Sequence, residues 1–180
     1  LRQRYGGSAH SFREALTQLA SEGLVEANAQ RGFRVASATQ TDLEDITRLR
    51  AEIETLGLQW AIKHGDLRWE SEVVAAYHTY SRLCAQAQAD RAAHAIEWDE
   101  AGRQFHAALV SACRSPRLIE FQDRLFTQSR RFRYAALVEG RIDLSAETRD
   151  LGAVVEAAIA RDDISARRLL SEQILGVLSR

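Results

Sequence analysis

The chain has 180 residues, a formal net charge of −1 and a composition that is 46% hydrophobic and 27% charged. So much apolar mass excludes a disordered chain, and no apolar run approaches the roughly 18 residues that a membrane span requires. One Pro and 10 Gly argue against strand-and-turn folds and for helices joined by short loops.

Residues 1–5 read as the end of a helix that Gly6-Gly7-Ser8 breaks. Ser8 or Ser11 caps the next helix, and Ser11-Phe-Arg-Glu14 fits a capping box. Phe12, Ala15, Leu16 and Leu19 then recur at helical spacing until Gly23 ends the helix. Two short β-prone runs, Leu24–Ala27 and Phe33–Val35, flank a polar loop that ends in Gly32, which is a hairpin signal. Helix, turn, helix and hairpin together make a winged helix over residues 1–38. This head carries a net charge of +2 against −3 for the remainder, a slight bias toward a polyanion.

From Thr41 onward only helical periodicity is present. Thr41-Asp-Leu-Glu44 is a second capping box and opens a helix to about Lys63, with Leu49, Ile53, Leu56 and Trp60 as its expected buried face. Further helices are expected over about 68–87, with Trp69, Val73, Ala76, Tyr80 and Leu83 on one side, and over about 91–113, 116–139, 145–161 and 165–178. Pro116 suits a helical first turn. Short loops make neighbouring helices antiparallel. The expected architecture is mainly α: a partial winged helix-turn-helix (1–38) followed by an antiparallel bundle of about six helices (39–180). Cys84 and Cys113 lack CxxC spacing and read as small buried residues in a reducing compartment. No basic, apolar leader opens the chain, so the cytoplasm is the expected location. Met is absent, position 1 included, so the natural start is expected upstream of Leu1.

Arg4-Tyr-Gly-Gly-Ser-Ala-His-Ser-Phe-Arg-Glu-Ala-Leu16, Glu22-Gly-Leu-Val25 and Arg31-Gly-Phe-Arg-Val35 resemble the winged helix of the GntR family of bacterial transcription regulators. Leu49–Glu54, Phe105–Leu109, Ser115–Leu118 and Ala158–Asp162 resemble the all-helical FCD effector domain of its FadR subfamily. The resemblance implies a ligand-responsive regulator, most often a repressor. It would bind double-stranded operator DNA as a homodimer and a small organic acid in the helical domain, with no membrane partner. The family's winged helix starts with one more helix, so this stretch alone is expected to grip DNA poorly.

In a helix-turn-helix the second helix enters the major groove by its N-terminal end. Those positions are Ser8, Ala9, His10, Ser11 and Arg13. Ser8, His10 and Ser11 can donate to phosphates or base edges, and Arg13 can pair bidentately with guanine. Ala9 stands where the family usually has Arg, which implies a different base preference. Arg31 and Gly32 match the family's wing-tip contact. A plain alternative for Arg13 is a solvated helix charge.

The FCD type commonly holds a divalent metal through one Asp and three His. In this chain those positions carry Gly102, His106, Leu151 and Gln173. Asp99, seven residues before His106, lies about 10.5 Å away along a helix axis and cannot readily share one ion with it. No metal and no cofactor are therefore expected. A cationic group in an aromatic-lined cavity can bind a carboxylate instead, and the candidates are His106, Arg50, Arg131, Arg133, Tyr134 and Gln173. The alternative for each arginine is an exposed charge or an inter-helix salt bridge. No nucleophile–base pair, phosphate loop or HExxH motif is present, so an enzyme is not expected. A binding module without a working DNA head is the remaining alternative.

Overall fold

A computed structural model of the chain describes residues 6, 8–21, 25–28, 32–36 and 38–179. The chain divides into two compact units, residues 1–39 and 40–180.

In the first unit, helix α1 (Ala9–Ser21) is followed by strands β1 (Val25–Asn28) and β2 (Gly32–Val35). Ser8 is the cap: its Oγ accepts from Ser11 N at 3.1 Å, satisfying one of the donors that a helix start leaves open. The box proposed at Ser11 does not form. Ser11 Oγ bonds to Ser8 Oγ at 2.9 Å, and Glu14 faces His10 at 3.3 Å. The strands are antiparallel, with Val25 opposite Val35 and Asn28 opposite Gly32. Gly32 has φ of +83°, a conformation open to glycine and costly for other residues. The readings placed on residues 1–5, Gly7, Gly23 and Arg31 lie outside the described residues.

The second unit contains α2 (Gln40–His64), α3 (Leu67–Ala89), α4 (Arg91–Val110), α5 (Pro116–Val138), α6 (Leu144–Ile159), α7 (Asp163–Leu175) and a 3-10 turn (Gly176–Ser179). Five of the six helices start at side-chain caps: Asp66, Asp90, Ser115, Asp143 and Asp162 each accept from backbone N–H groups of the first turn. Helix α2 starts one residue before Thr41, and α4 stops at Val110 rather than at Cys113. The helices pack in a closed circuit, α2–α5–α4–α3–α6–α7 and back to α2, and α2 also touches α4 across the interior. Leu58, Val73, Phe105, Leu109, Leu137, Leu151 and Leu170 form the fully buried core. Cys84 and Cys113 are free and buried. Among the described residues no helix is long and apolar enough to cross a membrane.

The expected buried face of α2 is corrected. Leu49 is 46% and Leu56 is 37% exposed, while Ile46, Thr47, Arg50, Ala51, Glu54, Leu58, Ala61 and Ile62 turn inward. Periodicity reads only apolar residues, and here three polar ones, Thr47, Arg50 and Glu54, occupy interior positions.

Gly57 marks the tight crossing of α2 with the α4–α5 corner. A Cβ there would lie 2.7 Å from Leu118 Cδ2 and 2.8 Å from Val110 Cγ1. Gly57→Ala should therefore destabilise the protein by about 1–3 kcal/mol despite alanine's better helix propensity. Urea denaturation checks this; a stabilised variant would show that the crossing can relax.

Candidate functional site

A cavity of about 60 Å3 lies inside the helix circuit. Its hub is the ring of Phe126 on α5, which is 2% exposed. The Arg133 guanidinium carbon sits 3.7 Å and that of Arg50 4.5 Å from the ring centre. The His106 ring is 5.2 Å away, centre to centre. Three helices thus deliver three basic side chains to one aromatic ring, where cation–π attraction assists the two guanidiniums.

These charges are held by a network. Arg50 Nε donates to Glu54 Oε1 at 2.8 Å, one turn along α2. The other Glu54 oxygen is 2.5 Å from His106 Nδ1. Arg133 pairs with Asp99, which also accepts from Arg130 Nε at 2.5 Å. Ser129 Oγ accepts from Arg50 Nη1 at 3.3 Å and from Arg133 Nη1, and donates to Phe126 O at 2.7 Å. On the far wall Tyr80 donates to Glu147 Oε1 at 2.8 Å, and Gln173 Nε2 reaches the same oxygen at 3.4 Å.

Burial alone would raise the Glu54 carboxyl, but the charges of Arg50 and His106 overcome it and bring the value down to about 2. Burial lowers His106 from its ordinary value, and the nearby Arg50 and Arg133 charges add to this against the pull of Glu54. Burial, opposed by Asp99, brings Arg133 down to about 10, which still leaves it protonated. Burial and the Glu147 carboxylate push Tyr80 well above its usual range.

Of the residues singled out in the sequence, His106, Arg50, Arg133 and Gln173 line the cavity, as does Gly102. Arg131 and Tyr134 do not. Arg131 pairs instead with Asp42 at the start of α2 and stacks 4.7 Å from the Phe132 ring centre, largely buried between these groups. Tyr134 is 44% exposed. Both follow from the helical period: Phe126, Ser129 and Arg133 share the inner face of α5, and positions 131 and 134 fall off it. Asp99, about two helix turns before His106, also lies on the cavity wall. Glu54, Asp99, Ser129, Tyr80 and Glu147 are the site residues that sequence reasoning missed. The Arg50–Glu54 spacing of four was the available signal for the first.

The four positions of the family's metal site do not fit an ion. Gly102 has no donor, and Leu151 is buried in the core. The Gln173 amide is turned to Glu147, and both Asp99 oxygens are taken by arginines. Among the described residues no group of three or more His, Cys, Asp or Glu is placed to hold a metal.

In the first unit Ser8, the cap of α1, and His10, Ser11 and Arg13 in its first turns are exposed. Gly32, also exposed, opens β2 at the end of the hairpin loop.

The GntR family of bacterial regulatory proteins matches residues 1–35 and the FCD domain matches residues 45–175. The HTH-type transcriptional repressor GlaR of Escherichia coli K12 is 34% identical over 178 residues, covering 97% of this chain and 80% of GlaR. The HTH-type transcriptional regulator BphR of Paraburkholderia xenovorans LB400 is 34% identical over 179 residues, covering 99% and 73%. The chain is a GntR-family transcription regulator with an FCD domain. Its fold is shared with E. coli McbR/YncC, at a TM-score of 0.77 and 20% identity over 99% of this chain and 83% of that one. A GntR regulator from Rhodococcus sp. RHA1 gives 0.72 at 23% identity over 97% and 84%. The families and relatives are regulators of transcription and not enzymes. In such regulators the GntR head binds operator DNA and the FCD domain takes effector ligands.

The network fixes an acid dependence. Below about pH 6.5 the unfolded regulator takes up a proton that folded His106 resists, and from 4.5 toward about 2 the same holds for Glu54. Unfolded chains then bind more protons, so stability falls as pH falls. Glu54 alone contributes on the order of 3 kcal/mol across its window. Glu54→Gln should lower stability at pH 7 by about 3–5 kcal/mol by leaving Arg50 uncompensated, and should flatten the loss between pH 4.5 and 3. Urea titrations at a series of pH values test both; an unchanged acid limb would contradict the assignment.

Proposed function

We propose that the regulator is a cytoplasmic, metal-free, dimeric repressor whose head reads a pseudo-palindromic operator and whose cavity binds a small organic carboxylate. The observation that carries the ligand reading is the convergence of Arg50 and Arg133 on Phe126 and on one shared hydroxyl, Ser129. Two buried like charges held this close gain from a bridging anion, and guanidinium forks match carboxylate geometry. His106 and Gln173 complete the candidate subsite. Repression is the printed role of the relative GlaR.

On the DNA side, the exposed start of α1 supports groove contacts by Ser8, His10, Ser11 and Arg13, and the family resemblance supports contacts by Arg31 and Gly32. Arg13 is the candidate for base reading and the hydroxyls for phosphate positioning. A two-fold arrangement of heads matches a two-fold operator. The effector signal has a chemical route. An anion between Arg50 and Arg133 competes with the carboxylates that now tie α2, α4 and α5 together. Helix α2 begins at Gln40, directly after the head unit ends. Ligand would then shift populations between two settings of α2.

The test is fluorescence anisotropy of the complete gene product on DNA from its own promoter. Affinity should fall with a linear dependence on log salt. Arg13→Ala should weaken operator binding by at least about tenfold relative to random DNA. Organic acids should release wild-type protein. An Arg13→Ala protein with unchanged operator preference would overturn the head assignment, and release only upon adding a divalent metal would overturn the metal-free cavity.

A further inference from the structure

Arg131 is the arginine of α5 that the cavity network leaves aside. Its Nη2 donates to Asp42, in the first turn of α2, and its side chain is only 18% exposed. Among the described residues Asp42 is its one acidic partner. The Nε and Nη1 atoms are sealed from solvent and have no hydrogen-bond partner there. Arg50 and Arg133, by contrast, each engage several oxygens. A buried cation with two unfilled nitrogens stabilises a fold little, because the unmade hydrogen bonds offset the ion pair. Each end of this pair adjoins the cavity. Leu43, next to Asp42, and Phe132, next to Arg131, both line it. Asp42 also lies near the start of the helix that begins directly after the head unit ends.

We infer that the Arg131–Asp42 pair is a clasp that couples the cavity to the head. Closed, it holds the first turn of α2 on α5 and fixes the point from which the chain of the head unit enters the bundle. A head joined to an ordered turn has fewer orientations to lose when it meets DNA, so the closed clasp favours operator binding. An occupant of the cavity that displaces Leu43 or Phe132 opens the clasp, whatever the chemistry of that occupant. The incomplete hydrogen bonding of Arg131 keeps the closed and open settings close in energy, as a switch requires. The inference concerns regulation and rests on the operator-binding head, not on the identity of the effector. Asp42 has a plainer use, as an acidic residue at a helix start. That use does not involve Arg131, so substitution separates the two roles.

The test takes the complete gene product through fluorescence anisotropy on promoter DNA, hydrogen–deuterium exchange and thermal melting. Arg131→Met replaces the buried cation by an apolar side chain, so the thermal midpoint should hold or rise. Exchange at the amides of residues 44–48, the first to be hydrogen-bonded within α2, should nonetheless quicken. Exchange in α3 around the buried Val73 and Tyr80 should not change. Operator affinity should fall at least about fivefold. Arg131→Lys keeps a charged donor for Asp42 and should recover most of both effects. Asp42→Asn, and the double variant Asp42→Asn with Arg131→Met, should weaken operator binding no further than Arg131→Met, because all three open the same contact. An Arg131→Met protein with wild-type affinity and exchange overturns the inference and leaves the head assignment standing. A loss seen with Asp42→Asn and not with Arg131→Met also overturns it, since only the helix start is then at work. Faster exchange throughout the bundle does the same. Failure of the wild-type protein to bind its promoter overturns the head assignment and the inference together.

Discussion

The second unit of this regulator is organised around charge placed where a helical bundle normally has only hydrocarbon. Arg50, Glu54, Asp99 and His106 are each at most 7% exposed. Burying an ion uncompensated costs several kcal/mol, and a buried pair is retained at a net cost unless its geometry is good and its remaining hydrogen-bonding sites are filled. Here each carboxylate meets two basic groups, and one serine hydroxyl bridges the two arginines. The fold holds the network, and the network in turn ties α2, α4 and α5 to one another. A ligand that rearranges it acts on three helices together.

This explains what the sequence could and could not tell. Helix number and order were legible, because apolar periodicity and short breaks such as Ser115-Pro116 are local signals; that Asp66 and Asp162 cap the helices they precede is seen in the structure. The stripe of α3 was legible for the same reason, with Trp69, Val73 and Tyr80 buried as periodicity requires. The face of α2 was misread because its interior positions are polar. Counting Leu49 and Leu56 as core assumed that arginine and glutamate point to water, and here Arg50 and Glu54 do not. The same blindness hid Asp99 and Ser129. Their role depends on which helices become neighbours, and spacing within one helix carries no such information. The resemblance to a metal-binding family located Gly102, His106 and Gln173 on the cavity wall, since those positions are set by the shared fold. It could not separate Arg133 from Arg131, two residues apart on α5 and on different faces.

The cavity has lost the ligands of one cation and carries two others. In the family's usual site a divalent ion supplies the positive charge. In this chain Gly102 leaves room that Tyr80 and Phe126 approach, at 3.3 and 3.6 Å from where a Cβ would be. Two guanidiniums stack on that same Phe126 ring. A side-chain cation differs from an ion in ways that matter for sensing. It cannot be removed by a chelator, it offers directed donors in place of open coordination positions, and under the proposed carboxylate reading its pairing with Asp99 is partly exchanged for the ligand. That exchange gives the ligand unequal contacts in its free and bound settings, which is what any population shift requires.

The most direct measurement is a crystal structure of chelator-treated protein soaked with lactate or malate. The account predicts a carboxylate lying over Phe126 between Arg50 and Arg133, with no anomalous scatterer in the cavity. A transition metal bound to His106 Nε2, or an acid seated elsewhere with the arginine pairs undisturbed, would contradict it.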